Sequence, residues 1–578
     1  MMAAVLAASS CSDFDDYNEV PGERLPSASQ SLWENISGNA DLSQFAALVK
    51  KSGYDKLLSS SRFYTVWAPL NGKFDHAKWE AADSATVRFQ FVENHITDYN
   101  HYISAPVDER ITTLNEKTYD FKGTSADAKF GGVAVGKANV AGRNGVMHLL
   151  DGEAIYRPNF YEYLTANKAA DSLSAYILRY EQSVLDEENS VAGPIVNGVQ
   201  TYEDSVMIVS NTMLRRFDAK LDSEDSTYTV FVPTNEAWNT AYAAIKSTLS
   251  YGKGVIKSEK VYMQNGVLKT EDVKQEVNAA YLSDSLTCLT LASGLYYSNN
   301  NQYNKWLVDG NSFADTLYST TRSKYSHPQE ILARQVGETE QMSNGELRVV
   351  DSLAFRSWEW YNPVLQSSYR MSAYKNASVP QYITARTLRE GLEEIDIPHV
   401  DMANFLEDGL RFSWIQPKTM SDMIAYFNLQ GGVLSTKYSI YCVIVPPCAD
   451  ANYAAYDPDA EMKPSLFNAS LNYYDPAKGE TKDHFFHPTN PEGDSKGPKT
   501  TAAKLGEWAF KNSLDKVDPI YLGDFTFPVS YTGLESCYPY VKITFPRLDN
   551  KSKETYVRDL RVAGIILVPV ELSKSNEQ

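Results

Sequence analysis

Thr65–Phe74 reads TVWAPLNGKF, and Thr229–Trp238 reads TVFVPTNEAW. Threonine, valine, an aromatic, a small apolar residue and proline fall in register, followed by Asn71 or Asn235 and a closing aromatic. Two further pairs keep the same order. SLWENI around Trp33 answers NFYEYL around Tyr161, and NGVMHLLDGEAI (144–155) answers NGELRVVDSLAF (344–355). Three landmarks repeated in order mean a duplicated domain, which outranks any single-residue reading.

Each landmark has a physical reading. Val230 and Val232 alternate with Thr229 and Phe231, as in a strand packed on both sides. Pro233 ends that strand, because it cannot donate to the ladder. Thr234 and Asn235 then cap a helix, with Glu236 in its first turn. Asn144-Gly145 and Asn344-Gly345 read as hairpin-turn dipeptides. They feed the apolar strands MHLLD and LRVVD, which end in Asp151 and Asp351.

These residues resemble the fasciclin domain, whose family carries a TVFAPTNxAF segment and a later NGxIHxID segment. Phe91–Ile103 (FVENHITDYNHYI) stands where that family has its central strand. The resemblance covers roughly Ser29–Tyr361 and implies compact α/β domains used for adhesion or binding, with no family-wide catalytic site. Leu70 replaces the family threonine in copy one, and Arg348 replaces the histidine (His148) in copy two. Copy two has no evident counterpart of Asn94-His95.

The first landmark repeats at an offset of 164 (229 minus 65), and the second at 200 (344 minus 144). Copy two therefore holds 36 extra residues, expected within the polar stretch Tyr251–His327, which contains YYSNNNQYNKW. Insertions of this kind are usually surface features.

The beginning, MMAAVLAASSC, is a short apolar run with small residues before Cys11, followed by acidic Ser12–Asp16. It resembles a lipoprotein signal peptide with its lipobox, and the acidic stretch resembles a surface-export signal of gut-type Gram-negative bacteria. The resemblance implies acylation (palmitate-type chains) at Cys11. Several chains anchor stably, because each buried CH₂ contributes about 0.8 kcal/mol. The location implied is the outer membrane, lipid-anchored and facing the extracellular side.

Composition fits several folded domains. The 578 residues are 43% hydrophobic, with a formal charge of −19. Nucleic acid is an unsuitable partner, since it calls for clustered Lys and Arg. No run approaches the roughly 18 apolar residues of a membrane span. Cys288, Cys442, Cys448 and Cys537 form no paired zinc pattern and read as buried free thiols.

After Trp360 the pattern changes. Tyr361–His399 reads as a crossing segment and Ser421–Phe427 (SDMIAYF) as a short helix. In KYSIYCVIVPP, Tyr438, Ile440, Cys442 and Ile444 share one strand face, and Tyr441, Val443 and Val445 the other. IYLGDFTFPVSY, YVKITFP (Val541, Ile543 and Phe545 against Lys542 and Thr544) and VAGIILVPVEL follow as strands. With long loops between them, notably Pro446–Lys511, they read as a β-sandwich. The strands resemble the late strands of galactose-binding-like jelly rolls, which often recognise glycans. The expected layout is a signal peptide and lipobox at 1–11 and a tether at 12–28. Two α/β (α+β) fasciclin-like domains at 29–157 and 158–361 precede an all-β sandwich or jelly roll at 362–578.

No H-E-x-x-H, G-x-G-x-x-G or P-loop occurs in the sequence. No enzyme is read from this chain. Asp483-His484-Phe485-Phe486-His487 holds an H-x-x-H, read as a solvated loop rather than a metal site. Asp457-Pro458-Asp459-Ala460-Glu461 offers hard oxygens for Ca²⁺ without the ligand count of an EF-hand, and no other cofactor is expected. Trp358, Trp360 and Tyr361 suit either a sugar-stacking platform or a packed domain junction. The expected ligand site lies in sandwich loops, with Tyr473, Tyr474, Asp475, Asp457 and Asp459 as candidates.

The build resembles accessory lipoproteins of outer-membrane nutrient-uptake complexes, formed by a TonB-dependent transporter and its lidding SusD-like lipoprotein (the SusC/SusD type). That resemblance implies capture of a glycan or peptide. An adhesin for host matrix or cell–cell contact is the alternative, and a glycan-active enzyme the third reading.

Overall fold

The computed structural model describes residues 26–570. Excepted are 169–170, 310–315, 326–327, 354–362, 369–372, 380–382, 386–396, 398–399, 401, 403–404, 406–409 and 447–461. Cys11, Cys448, Asp457, Asp459, Glu461, Trp358, Trp360 and Tyr361 therefore lie outside the described residues. The chain divides into two compact units: Met1–Phe231 with Tyr297–Ser312 and Gly337–Arg348, and Val232–Tyr296 with Phe313–Val336 and Val349–Gln578. Among the described residues, no helix is long and apolar enough to cross a membrane.

Copy one is built on a seven-stranded sheet. Its strands are β1 (Tyr64–Pro69), β2 (Ile96–Asp98), β3 (Val107–Thr112), β4 (Thr118–Gly123), β5 (Lys129–Phe130), β6 (Val133–Gly142) and β7 (Gly145–Leu150), in the order β2-β1-β7-β6-β5-β4-β3. The landmark strand β1 is buried along its length and runs parallel to β7, from Tyr64↔Gly145 to Pro69↔Leu150.

The Asn-Gly dipeptides do more than turn the chain. The carboxamide of Asn144 accepts from the N–H of Leu32 (2.8 Å) and donates to the carbonyls of Leu58 (2.9 Å) and Ser60 (2.8 Å). Its backbone carbonyl takes the N–H of Tyr64 at 3.1 Å. Asn344 repeats this, accepting from Phe160 (3.2 Å) and donating to Leu221 (2.8 Å) and Ser223 (3.2 Å), with Tyr228 N–H on its carbonyl at 3.0 Å. The hairpins themselves turn on Arg143-Asn144 and Ser343-Asn344, closed by the pairs Gly142↔Gly145 and Met342↔Gly345. Each glycine is thus the first strand residue rather than the turn centre. A Cβ on Gly145 or Gly345 would stand 1.9 Å from the carbonyl oxygen of Tyr64 or Tyr228, and both have φ near +145° (149° and 144°).

The third landmark pair is a helix start in both copies. Ser31 and Glu34 form a capping box ahead of Leu32–Ser37, and Asn159 and Glu162 form one ahead of Phe160–Asn167. In copy two, Thr234 caps the helix Asn235–Lys246 directly after the strand, accepting from Ala237 N–H. Copy one departs here. Leu70 has no acceptor to offer, Gly72 turns the chain at φ +70°, and the helix His76–Ala81 begins only after Asp75 caps it.

Copy two contains β8 (Glu181–Leu185), β9 (Val191–Val196), β10 (Val199–Asp204), β11 (Met207–Asn211), β12 (Tyr228–Pro233), β13 (Val255–Gln264), β14 (Val267–Glu276) and β15 (Tyr296–Ser298). The short pair β16 (Leu317–Tyr318) and β17 (Lys324–Tyr325) precedes β18 (Glu340–Met342) and β19 (Gly345–Val350). Its central sheet runs β15-β12-β19-β18. The capping residues Ser31 and Asn159 differ by 128, β1 and β12 by 164, and β2 and β15 by 200. Copy two therefore gained 36 residues twice (164 minus 128, then 200 minus 164). The sequence reading found only the second gain. That gain is the hairpin β13–β14, and it ends before Tyr296, so YYSNNNQYNKW is ordinary domain rather than insertion. The first gain is the ribbon β8–β11, and the third landmark pair already encoded it.

The C-terminal part is a sandwich. Its strands are β20 (Val364–Ser367), β21 (Ala373–Lys375), β22 (Ala377–Ser378), β23 (Ile383–Ala385), β24 (Leu410–Pro417), β25 (Met423–Asn428) and β26 (Lys437–Val445). They continue as β27 (Leu466–Asp475), β28 (Glu480–His487), β29 (Asn490–Asp494), β30 (Phe510–Lys511), β31 (Asp518–Thr526), β32 (Tyr540–Phe545) and β33 (Leu560–Pro569). One sheet runs β22-β24-β33-β26-β31, the other β21-β25-β32-β27-β28-β29. As the alternation requires, Tyr438, Ile440, Cys442 and Ile444 enter the core with Val541, Ile543 and Phe545, while Val443 and Val445 pack on the opposite face. Cys288, Cys442 and Cys537 are buried free thiols.

Four local readings change. Ser421–Phe427 is not a helix: Met423–Asn428 is β25, because Met423, Ala425 and Phe427 alternate into the core. Pro446–Lys511 is not one long loop, since its described residues hold β27, β28, β29 and the helix Thr501–Leu505. Asp483–His487 lies in β28, so His484 and His487, three apart, fall on opposite faces. The described residues of the supposed crossing segment include β20 and β21, which join the two sheets.

Candidate functional site

Alternation along β25, β27, β28 and β32 sets one side chain row into the core and the next outward. Phe467, Ala469 and Leu471 are core residues, so Asn468, Ser470 and Asn472 form an outward row. Cross-strand pairing places Asn468 opposite Thr544, Ser470 opposite both Lys542 and Phe485, and Asn472 opposite Asp483. Part of this outer face is covered by the hairpin β13–β14. Val261 is fully buried against Ala373, Tyr426 and Tyr540, and Tyr540 donates to Glu259 at 2.7 Å. Burial, reinforced by Glu259, pushes the Tyr540 phenol well up.

The rest of the face stays open as a cleft of about 270 Å³, lined by Asp422, Asn468, Ser470, Phe485, Lys504, Lys542 and Thr544 among others. Lys504 donates to Asp422 at 2.8 Å, and the N–H of Arg547 reaches the other oxygen of that carboxylate at 2.8 Å. Burial pushes the Asp422 carboxyl up, but Lys504, the Arg547 N–H and the charge of Arg558 outweigh it and hold the group below its ordinary value. Asp422 is therefore a fixed anion. The Lys542 ammonium stands 3.8 Å from Asp483, which accepts from Asn472 at 2.8 Å.

Asn468 is the distinctive group. It is only 8% exposed, and its amide nitrogen donates to the carbonyls of Lys504 (3.0 Å) and Trp508 (2.8 Å). Both partners are acceptors, so the amide orientation is fixed. Its buried Oδ1 is left with no partner. An unpaired buried acceptor costs roughly 1–3 kcal/mol. Phe485 supplies an aromatic surface beside it. Gly497 lets that ring lie close, since a Cβ there would be 2.5 Å from it.

The loop candidates named from the sequence sit elsewhere. Tyr473 packs on Phe525 with ring centroids 4.7 Å apart, and Tyr474 is buried with its N–H on the Tyr531 hydroxyl at 2.8 Å. Asp475 is bound by Lys482 at 2.6 Å, which chiefly holds its carboxyl below the usual range. All three belong to the end of β27, not to a loop. The missed signal was present as the period-two row Asn468, Ser470 and Asn472 inside a segment read as loop. Among the described residues, no group of three or more His, Cys, Asp or Glu stands together to hold a metal.

A second cleft, of about 420 Å³, lies by Arg110, Lys117, Tyr119, Arg157 and Ser343. Lys117 is 2% exposed and divides its charge between Glu162 and Glu224, both at 2.8 Å, so it is committed to holding the fold.

Fold and clefts define a multidomain protein with an α/β fasciclin-like domain first and strand-rich sandwich sheets last. Residues 40–153 match the fasciclin domain family. Among solved structures, the chain is similar to a fasciclin-domain pair from the insect cell adhesion molecule fasciclin I (14% identity, 56% of this chain and 99% of that one, TM-score 0.20). It is also similar to the CBM22-1–GH10 modules of Clostridium thermocellum xylanase 10B complexed with xylohexaose (8% identity, 36% and 28% covered, TM-score 0.20). A third likeness is to carbohydrate-binding modules of the β-sandwich superfamily (8% identity, 54% and 85% covered, TM-score 0.19). No curated protein matches this chain.

Proposed function

We propose that this chain is a cell-surface binding protein that captures a saccharide in the sandwich cleft. The observation that carries the reading is the cleft lining, in which the hydroxyls of Ser470 and Thr544, the Lys542 ammonium and the held Asp422 carboxylate stand around the Phe485 ring. Sugar hydroxyls both donate and accept, and their C–H faces pack on aromatic rings, so this mixture suits them. In this reading Cys11 carries the lipid anchor on the outer membrane, and the protein serves as an accessory component of a TonB-dependent, SusC/SusD-type uptake complex. The matched fasciclin domain fits a binding or adhesion role and gives the adhesin reading its standing as the alternative.

The test is a glycan and peptide panel with the full chain and with Ser470→Trp, which enlarges a lining side chain of the cleft, thermal unfolding checking that the variant folds. Saccharide binding by the unaltered chain, lost in the variant, is expected. Binding that survives Ser470→Trp, or peptide binding alone, sinks the proposal, and turnover of a panel member would show an enzyme.

A further inference from the structure

The first insertion of copy two, 181–211, is a two-stranded arm. At its base β8 pairs with β11, from Glu181↔Asn211 to Leu185↔Met207. At its tip β9 and β10 close as Val196↔Val199 around Asn197-Gly198, both at positive φ. Nine of the 21 exposed large apolar side chains among the described residues lie on this arm. Met207, Ile208 and Val209 are consecutive on β11, so both faces of the base are apolar. At the tip, Ile195 is 69% and Val199 66% exposed. Between base and tip stand Asp186, Glu187, Glu188, Glu203 and Asp204, and with Glu181 the arm carries six carboxylates and no Lys, Arg or His.

A lone two-stranded ribbon is marginally stable in water, and a concentration of exposed aliphatic side chains marks an interaction surface. The sister insertion β13–β14 shows how such a ribbon is completed in this chain: it seats its apolar residues on a sheet face bearing tyrosines. We propose that the arm 181–211 docks onto a partner protein other than this chain. The receiving surface carries two apolar strips separated by Lys or Arg, matching the apolar base, acidic middle and apolar tip. Charge disfavours a second copy as the occupant: two paired arms would bring twelve carboxylates together without a cation (twice the six on one arm), and the chain as a whole is itself acidic at −19. A bilayer surface fits no better, because the arm has neither the basic residues nor the tryptophan of membrane-seated segments. The exposed outer edges of the ribbon also permit strand addition by that partner.

The experiment places p-benzoylphenylalanine at Ile195 or at Val209 of the full chain, expressed in its own host cells and irradiated. Both positions should cross-link to the same partner protein, at peptides flanking a segment that bears Lys or Arg. Glu187→Lys/Glu188→Lys should lower both yields about tenfold or more, with thermal unfolding unchanged. Raising the salt should weaken both cross-links in the unaltered protein as well. Cross-links to a second copy or to lipid, different partners at base and tip, no product, or indifference to both charge reversal and salt would overturn the proposal. Saccharide binding in the sandwich cleft should be untouched by the charge reversal, so this reading and the cleft reading fail separately.

Discussion

Copy one and copy two share the capping box, the landmark strand and one asparagine staple, and they differ in what surrounds that staple. Both hold an asparagine carboxamide on three equivalent backbone groups, with a glycine after it to admit a carbonyl. Around that device, copy one buries two histidines that copy two lacks. His95 accepts the Ala154 N–H on Nε2 (2.9 Å) and lies 2.7 Å from the Phe91 carbonyl through Nδ1, an arrangement that calls for a neutral ring. His148 lies against Trp67 and Phe121, with Nε2 at 2.8 Å from the His101 carbonyl. At the corresponding places copy two has Leu295 and Arg348. The backbone staple is kept because a displaced amide or an added methyl has nowhere to go. The side chains around it can be exchanged if buried polar groups still find partners.

The shared device gives the largest expected effect. Gly145→Ala and Gly345→Ala should each cost more than about 4 kcal/mol, because the new Cβ must displace a paired strand carbonyl at a φ that disfavours side chains. Hydrogen exchange resolved by peptide should show lost protection in β1 and β7 for the first, and in β12 and β19 for the second. A loss in only one copy would break the equivalence.

The histidines sharpen the difference. Burial lowers both His95 and His148 from 6.5 to about 4. Above pH 6.5 neither the folded nor the unfolded form is protonated, so they leave stability independent of pH. As pH falls from 6.5 towards 4, the unfolded chain takes up protons that the folded domain refuses, and stability drops. By pH 5 this amounts to roughly 2 kcal/mol per histidine. Exchange measured at pH 7 and pH 5, corrected for intrinsic rates, should show copy one weakening well ahead of copy two. Equal weakening would refute the assignment.

The smallest contrast concerns the two insertions. Val261→Asp puts a carboxylate into the seated hairpin and should cost about 3 kcal/mol. Val209→Asp on the exposed arm should change stability by less than about 0.5 kcal/mol. Comparable losses in thermal unfolding would mean that the arm is packed within the free chain.

Much of this architecture is legible in the residues. The strand ending at Pro69 or Pro233, the Thr234 cap and the two-sided burial of β26 follow from local chemistry. Even the first insertion stood in the spacing of the capping boxes. A short period-two pattern is ambiguous between strand, helix and loop, as in β25 and β27. There the polar row Asn468, Ser470 and Asn472 looks like loop composition until a partner sheet is known.

The sequence alone determined the duplication, the local strand and cap units, and the acidic, cation-free character of the arm, because these rest on residue identity and spacing along the chain. Tertiary structure decided which half of the sandwich face is covered by β13–β14, that Asn468 keeps a buried acceptor without a partner, and that one of two equal insertions is seated while the other stays exposed. Those outcomes depend on which surfaces meet across hundreds of residues. Burial and hydrogen-bond satisfaction belong to that meeting, and no local stretch carries them.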